Sequence, residues 1–131
     1  MTTKNQYAMF AIAALATMSF AFAPAFAAVY ASASVKAPSS GWDSSNMDTI
    51  SCGSGTCVAM VEVSASQDKA KIWYGMSGSN NTCDVISYTY GMGAPKVDNW
   101  GTISGLHSHT YSASIDSGDV ITVATAYSNC S

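Results

Sequence analysis

The chain has 131 residues, only 10% of them charged, and its five basic residues stand against eight acidic ones, giving a formal net charge of −3. All the basic residues are lysines, and they form no cluster along the sequence. An acidic chain without a basic patch is poorly suited to bind nucleic acid or an anionic membrane surface, so neither is expected as a partner.

The first element is an uncharged apolar run over 7–30, preceded by Lys4. Pro24 and the Ala-Phe-Ala sequence at 25–27 end its core in the pattern that signal peptidase cleaves. We therefore predict a signal peptide over 1–27. The run also exceeds the ~18 apolar residues that span a bilayer, so an uncleaved membrane anchor is the alternative. Either way, the rest of the chain is expected to be secreted or on the extracellular side of the membrane.

The composition after residue 27 indicates strands. No Phe and a single Leu remain there, and the apolar residues are mainly Val, Ile, Ala, Tyr and Trp. β-branched and aromatic side chains pack well on a pleated sheet, and too few Leu, Glu and Lys are present to build surface helices. About 100 residues form one domain with a modest core. We predict a single all-β domain.

The four cysteines in this region predict disulfide bonds, because an even count is typical of exported chains. Three pairings of Cys52, Cys57, Cys83 and Cys130 are conceivable. We favour Cys52–Cys57, whose Gly-Ser-Gly-Thr spacer lets the pair close locally, together with Cys83–Cys130. A structural zinc site is less favoured, because zinc sites usually combine two closely spaced ligand pairs and only one such pair is present.

The segment 28–48 is rich in Ala, Ser and Pro and lacks sustained periodicity, which predicts a flexible stalk or a weak first strand. The folded domain is expected over 49–131. Its predicted strands follow one another at intervals of about 8–12 residues. They cover 58–66, 70–76, 85–90, 102–106, 110–115 and 120–127.

Alternation within these strands predicts which side chains face the core. Ala59, Val61 and Val63 share one face of their strand, and Trp73 points away from the face of Ile72 and Tyr74. The Asp-Ser-Gly-Asp sequence at 116–119 predicts a hairpin turn. Six or seven short strands favour a small antiparallel β-sandwich.

The sequence Ile-Ser-Gly-Leu at 103–106, followed by Thr110 and Tyr111, resembles the corner between two strands of fibronectin type III and immunoglobulin-like domains. In those families a Leu precedes the bend, and the hydroxyl of a Tyr that opens the next strand bonds back to the backbone. The resemblance implies a structural corner formed by Leu106 and Tyr111. It implies a β-sandwich and carries no activity.

Two histidines form a candidate metal site. His107 and His109 are two residues apart, so on an extended chain their side chains point to the same side. Together with a third ligand from elsewhere in the chain, they could coordinate one copper or zinc ion. The alternative is that both are solvated side chains on a polar bend. No other cofactor is indicated.

Aromatic residues form a candidate binding surface. If Ile72 and Tyr74 face the core, Trp73 is exposed, and with Tyr88 and Tyr90 it offers a stacking surface for a carbohydrate or a protein partner, including a second copy of the chain. The alternative is that these rings cover the ends of a thin core.

Catalysis is not indicated. The sequence has no Gly-x-Ser-x-Gly elbow, no phosphate-binding glycine loop and no His-Glu-x-x-His motif. We therefore expect an exported, non-catalytic binding or structural module at the cell surface or outside the cell. One alternative is a subunit resembling archaeal pilins, with the apolar N-terminal helix retained for packing in a filament. The other is an extracellular copper or zinc binder.

Overall fold

The computed structural model describes residues 28–42, 44–78 and 81–131, and within them eight β-strands and no helix. The prediction of an all-β domain is therefore confirmed for the described residues. The predicted signal peptide, and the helix that a filament subunit would retain, lie outside them. The strands are β1 (Val29–Lys36), β2 (Ser44–Cys52), β3 (Gly55–Ser64), β4 (Lys69–Ser77), β5 (Cys83–Tyr90), β6 (Lys96–Ile103), β7 (Leu106–Ser112) and β8 (Val120–Ser128).

The strands form two antiparallel sheets of four. The first sheet has the order β1-β8-β5-β6, and the second has the order β2-β3-β4-β7. Buried residues of both sheets, such as Val123 from the first and Val61 from the second, belong to one hydrophobic cluster between them. The fold is therefore β-sandwich-like, as the strand spacing predicted.

The segment 28–48 is not a stalk. Residues 29–36 form β1, which pairs with β8 from Val29↔Tyr127 to Lys36↔Val120, and residues 44–48 begin β2. Ala31 is fully buried and Ala33 nearly so. Because small inward side chains fit closely between the sheets, an Ala- and Ser-rich strand is accommodated there. The domain thus begins at β1 rather than at residue 49.

The predicted alternation on β3 and β4 is confirmed. Ala59, Val61 and Val63 are fully buried, as is Ile72, whereas Trp73 lies on the opposite side of its strand and is half-buried. Two-residue alternation is a local property of an extended chain, so the inner face of each strand follows directly from its sequence.

The sandwich is closed on the side where β1 of the first sheet lies beside β2 of the second. The Asp48 carboxylate accepts a hydrogen bond from the Ser32 backbone N–H (3.0 Å), and the Asn46 amide donates to the Ser34 carbonyl (3.0 Å). The side chains of Asp48 and Asn46, both on β2, thus satisfy backbone groups of β1 at the edge of the first sheet. This role explains why β2 carries polar residues and why its sequence did not clearly indicate a strand.

The chain between β5 and β8 differs most from the sequence prediction. β6 spans Lys96–Ile103, whereas the strand predicted in this region covers 102–106, and the pairing register between β5 and β6 shifts at Val85/Ile86. The turn at 116–119 is present, with the Asp119 N–H bonded to the Asp116 carbonyl (3.0 Å). It does not form a hairpin, however, because it connects β7 of the second sheet to β8 of the first.

The corner implied by the family resemblance is not formed. Leu106 is 57% exposed, and the Tyr111 hydroxyl donates to the carboxylate of Asp98 instead of bonding to nearby backbone. The tyrosine that bonds to the backbone is Tyr127. Its buried hydroxyl accepts from the Gly75 N–H (2.8 Å) and donates to the Val58 carbonyl, so it links the first sheet to the second.

Both favoured disulfides are present. Cys52 pairs with Cys57 across the β2–β3 hairpin, and Cys83 at the start of β5 pairs with Cys130 near the C-terminus. In the part of the chain that the structure describes, no helix is long and apolar enough to cross a membrane.

Candidate functional site

The outer face of the first sheet carries three tyrosines. Tyr30 on β1 pairs with Ala126 on β8, and on β5 Tyr88 and Tyr90 pair with Ala124 and Thr122 of the same β8. Since directly paired residues share a face, the three rings lie on one side of the sheet, flanking the small residues of β8. We call this surface, defined by Tyr30, Tyr88 and Tyr90, the tyrosine face.

The rings cover the strand between them. Ala124 and Ala126 are 0% and 7% exposed, yet neither belongs to the cluster between the two sheets. Their burial is therefore due to neighbours on the outer face. A small-residue strand between two ring-bearing strands gives this sheet an apolar aromatic outer surface, and Val97, which pairs with Tyr88, extends it with a side chain that is 58% exposed.

The tyrosine hydroxyls are partly shielded from water. Burial raises the pKa of Tyr30 and of Tyr90, and burial together with the neighbouring Tyr90 and Tyr30 raises the pKa of Tyr88. The Tyr30 Oη atom is buried without a hydrogen-bond partner. The hydroxyl therefore lies among the apolar groups of the tyrosine face, and the ring contributes its apolar surface to that face.

A shallow pocket of about 370 Å³ opens on the same face, at the end where β8 finishes. Ile86 and Ala126 supply apolar walls, whereas Asp84, Asn99 and Ser128 supply a carboxylate, an amide and a hydroxyl. Ala28 and Gly101 complete the lining. The combination of a ring-covered surface with a few convergent polar groups is typical of small-molecule sites.

Asp84 is fixed in its charged form. The Asn129 amide donates to one carboxylate oxygen (2.7 Å) and the Thr102 hydroxyl to the other. These two hydrogen bonds lower the pKa of Asp84. The pocket therefore holds a permanent negative charge at neutral pH, with acceptor capacity on both oxygens.

The predicted aromatic surface is divided between two faces. Tyr88 and Tyr90 lie on the tyrosine face, but Trp73 lies on the outer face of the second sheet, so the prediction that the three form one surface is wrong. The reason is topological: β4 and β5 follow one another in sequence but belong to different sheets. Outward residues of two packed sheets point in opposite directions.

Trp73 is already engaged by its own neighbours. Its indole N–H donates to the Glu62 carboxylate (2.8 Å), and the Lys71 ammonium lies 4.7 Å from the centre of the ring. A cation over the ring and a carboxylate at its edge hold the indole against the sheet. On the outer face of the second sheet, the Trp73 ring is thus flanked by the charged groups of Glu62 and Lys71.

His107 and His109 lie on the inner side of β7, in a ring cluster that we define as Tyr74, Trp100, His107, His109 and Tyr111. Trp100 stacks on Tyr74 with ring centres 4.3 Å apart, His107 stacks on Tyr74 at 5.7 Å, and His109 contacts both Trp100 (5.3 Å) and Tyr111 (4.7 Å). The Trp100 indole donates to Ser87 (2.8 Å). The cluster fills the gap between edge strands β6 and β7.

Both histidines contact aromatic rings and backbone rather than further metal-ligating side chains. The His107 Nε2 atom lies 2.8 Å from the Ser104 carbonyl oxygen. Within the described ranges, neither histidine belongs to a group of three or more His, Cys, Asp or Glu ligand atoms; the group that does occur is formed by the four cysteines. The two histidines do point to the same side, as their spacing predicted, but their surroundings supply aromatic rings instead of a third ligand.

Tyr30, Asp84, Asn99 and Ser128 were not identified from the sequence. A signal for Tyr30 was present, because Val29, Ala31, Ala33 and Val35 alternate with Tyr and polar residues over 29–36, which is the pattern of a half-buried strand. Asp84, Asn99 and Ser128 come from three different strands, β5, β6 and β8, and no local sequence pattern links them.

No protein-family model matches this chain, and neither does any curated protein or solved structure with which it was compared.

Proposed function

We propose that this protein is an exported, non-catalytic binding module that takes a neutral saccharide on its tyrosine face, either at the cell surface or as a secreted protein. The leader-like sequence at 1–27 and the two disulfides support export, because disulfides persist in oxidising compartments. The observation that carries the proposal is the tyrosine face with the polar pocket beside it.

The chemistry of this surface favours a neutral, hydroxyl-rich ligand. The face of a tyrosine ring is apolar, like the C–H face of a pyranose, so the two stack. The adjacent carboxylate, amide and hydroxyl of Asp84, Asn99 and Ser128 hydrogen-bond to hydroxyl groups. The Asp84 charge repels phosphate, sulfate and carboxylate groups, and no lysine of the part of the chain that the structure describes lines the pocket to offset that charge.

The same lining supports binding without reaction. Glycoside hydrolysis usually requires two carboxyl groups, one of them with a raised pKa so that it acts as an acid. Among the described residues, Asp84 is the one carboxyl group in the lining, and its pKa is lowered. A saccharide held here would therefore meet neither a general acid nor a second carboxylate.

The proposal is tested with the oxidised protein and a panel of neutral oligosaccharides, namely β-1,4-glucan, β-1,4-N-acetylglucosamine and mannan fragments. Isothermal titration calorimetry should detect binding of at least one of them. Tyr88→Ala should then weaken that binding about 10-fold or more, because truncating a central aromatic contact commonly removes over 1 kcal/mol.

Trp73→Ala is the matched control, since it removes a half-buried aromatic ring from the opposite outer face. Binding by this variant should equal that of the unsubstituted protein. Absence of binding to the whole panel would reject a saccharide ligand, and equal losses from Tyr88→Ala and Trp73→Ala would reject the tyrosine face as the site.

A further inference from the structure

The four cysteine sulfurs form one cluster, although they come from distant parts of the chain. All four Sγ atoms lie within 4.8 Å of one another, and the Cys57 and Cys83 Sγ atoms, which belong to different disulfides, are 3.9 Å apart. The β2–β3 hairpin supplies two sulfurs, the start of β5 supplies the third, and the C-terminal segment supplies the fourth. We call this group the sulfur cluster.

The size of the sulfur cluster suits a tetrahedral metal ion. Zinc binds thiolates at about 2.3 Å, which places the sulfurs of a tetrahedral site about 3.8 Å apart. The Cys57 and Cys83 Sγ atoms, at 3.9 Å, are already near that separation, and the other pairs lie within 4.8 Å. After reduction, each formerly bonded pair needs to open from about 2 Å to about 3.8 Å, a movement of roughly 1 Å per sulfur that side-chain rotation supplies.

The surroundings also suit thiolates. Cys57 and Cys83 are fully buried, and Cys52 is nearly so. Asn81, itself fully buried, donates from Nδ2 to the Cys52 carbonyl oxygen (3.1 Å) and lies 3.6 Å from the Cys52 Sγ atom in hydrogen-bonding geometry. A charged sulfur is a stronger acceptor than a disulfide sulfur, and hydrogen bonds to metal-bound sulfurs tune such sites.

The hairpin has no room for other side chains beside the sulfur cluster. A Cβ atom at Gly53 would lie 2.8 Å from the Asn81 Oδ1 atom and 3.1 Å from the Cys130 Cβ atom. The Asn81 Oδ1 atom is buried without a hydrogen-bond partner. The amide is held beside the sulfurs by the hydrogen bonds that its Nδ2 group donates to the carbonyl oxygens of Cys52 (3.1 Å) and Ser77 (3.3 Å).

We propose that the reduced protein binds one Zn²⁺ through the thiolates of Cys52, Cys57, Cys83 and Cys130, and that oxidation to the two disulfides releases it. Reduction of each disulfide consumes two electrons and two protons from a dithiol, which becomes a disulfide itself. Binding of Zn²⁺ then displaces the four thiol protons. In the reverse direction, exchange with two external disulfides, each of which accepts two electrons and is reduced to thiols, oxidises the four thiolates to the two protein disulfides, and the Zn²⁺ ion is released.

The test uses the purified chain, reduced with a phosphine that is itself oxidised to its oxide with oxygen from water. Co²⁺ added under anaerobic conditions should give the intense visible bands of a tetrahedral tetrathiolate complex at one equivalent. Zn²⁺ should then bleach these bands, and native mass spectrometry should show one zinc ion per chain. The oxidised protein should give neither signal, because disulfide sulfurs are not thiolate ligands.

Variants distinguish this site from the histidines. Cys57→Ser should abolish the visible bands, Asn81→Leu should weaken metal affinity about 10- to 100-fold, and the His107→Ala/His109→Ala double variant should bind as the unsubstituted chain does. If Cys57→Ser does not fold, the mass of the zinc adduct in the unsubstituted chain and the Asn81→Leu comparison decide the question. Absence of Co²⁺ bands in the reduced chain, or their loss in the double histidine variant, would overturn the proposal.

Discussion

The hydroxyl of Tyr127, on β8 of the first sheet, bonds to two backbone groups of the second sheet. It accepts from the Gly75 N–H and donates to the Val58 carbonyl, and the Tyr127 side chain is fully buried. A single phenol thus satisfies one donor and one acceptor on neighbouring strands.

Removing this hydroxyl should cost stability. Tyr127→Phe leaves a buried N–H and a buried carbonyl unpaired, so we expect the free energy of unfolding to fall by about 1–3 kcal/mol. Equilibrium unfolding in urea measures this change in the free energy of unfolding. Tyr90→Phe is the control, because its ring lies on the outer face, and it should change stability by less than about 0.5 kcal/mol. Equal effects of the two substitutions would contradict the bridging role.

The same side chain predicts a pH dependence. Burial raises the pKa of Tyr127 from 10.0 to about 12. The neutral phenol is favoured in the folded state, so its contribution to stability is complete below pH 10 and is lost as the pH rises from 10 through about 12. Urea unfolding between pH 8 and 11 should show a smaller decline in Tyr127→Phe than in the unsubstituted protein. Equal declines in the free energy of unfolding of the two proteins would contradict a contribution from the ionisation of Tyr127.

At the scale of elements, β1 decides between the two predictions for the segment 28–48, a flexible stalk or a weak first strand, because residues 29–36 form a strand of the first sheet. It lies at the edge of the first sheet, its Ala31 and Ala33 face the core, and Asp48 and Asn46 of β2 bond to its backbone. A stalk would make no such contacts. The strand therefore forms part of the domain and not a tether for it.

Placing a charge on the inner face of β1 tests this assignment. Ala31→Asp buries a carboxylate without a partner, so we expect the unfolding free energy to fall by about 3 kcal/mol or more. Ser39→Asp, in the exposed segment just after β1, should be nearly neutral. Thermal and urea unfolding of both variants provide the measurement. Similar stability of the two would mean that β1 is dispensable.

The side chains of edge strand β7 make contacts with β6 and β4 that depend on how the whole chain folds. Tyr111 of β7 bonds to Asp98 of β6, and burial together with this hydrogen bond raises the pKa of Tyr111. The rings of Trp100 and Tyr74 then fill the space between the two strands. The histidines of β7 thereby become members of a ring cluster, which their spacing alone did not indicate.

At the scale of the whole molecule, the start of the mature chain is the main open prediction. Cleavage after residue 27 would leave Ala28 as the first residue, one position before β1 and in the lining of the pocket. We therefore expect the intact mass of the exported protein to correspond to a start at Ala28, with both disulfides formed. A start near Gln6 or Tyr7 would instead support the filament-subunit alternative, since the apolar segment would then be retained.

The sequence by itself determined the all-β composition and the inner faces of β3 and β4, and it favoured the two disulfides Cys52–Cys57 and Cys83–Cys130. These follow from side-chain shape, two-residue alternation and a short glycine-containing spacer, which are local properties. Tyr88 and Tyr90 were likewise placed on one side of their strand because they are two residues apart.

Only the tertiary structure decided which sheet each strand joins. As a result, Trp73 and Tyr88 lie on different sheets, whereas Tyr30 and Tyr88 lie on the same face of one sheet. The turn at 116–119 connects the two sheets, and the four cysteine sulfurs lie together in one cluster. Strand pairing depends on contacts between residues far apart in sequence, such as Val29 with Tyr127. Alternation fixes which side of a strand faces inward, but it carries no information about which strand lies next to it.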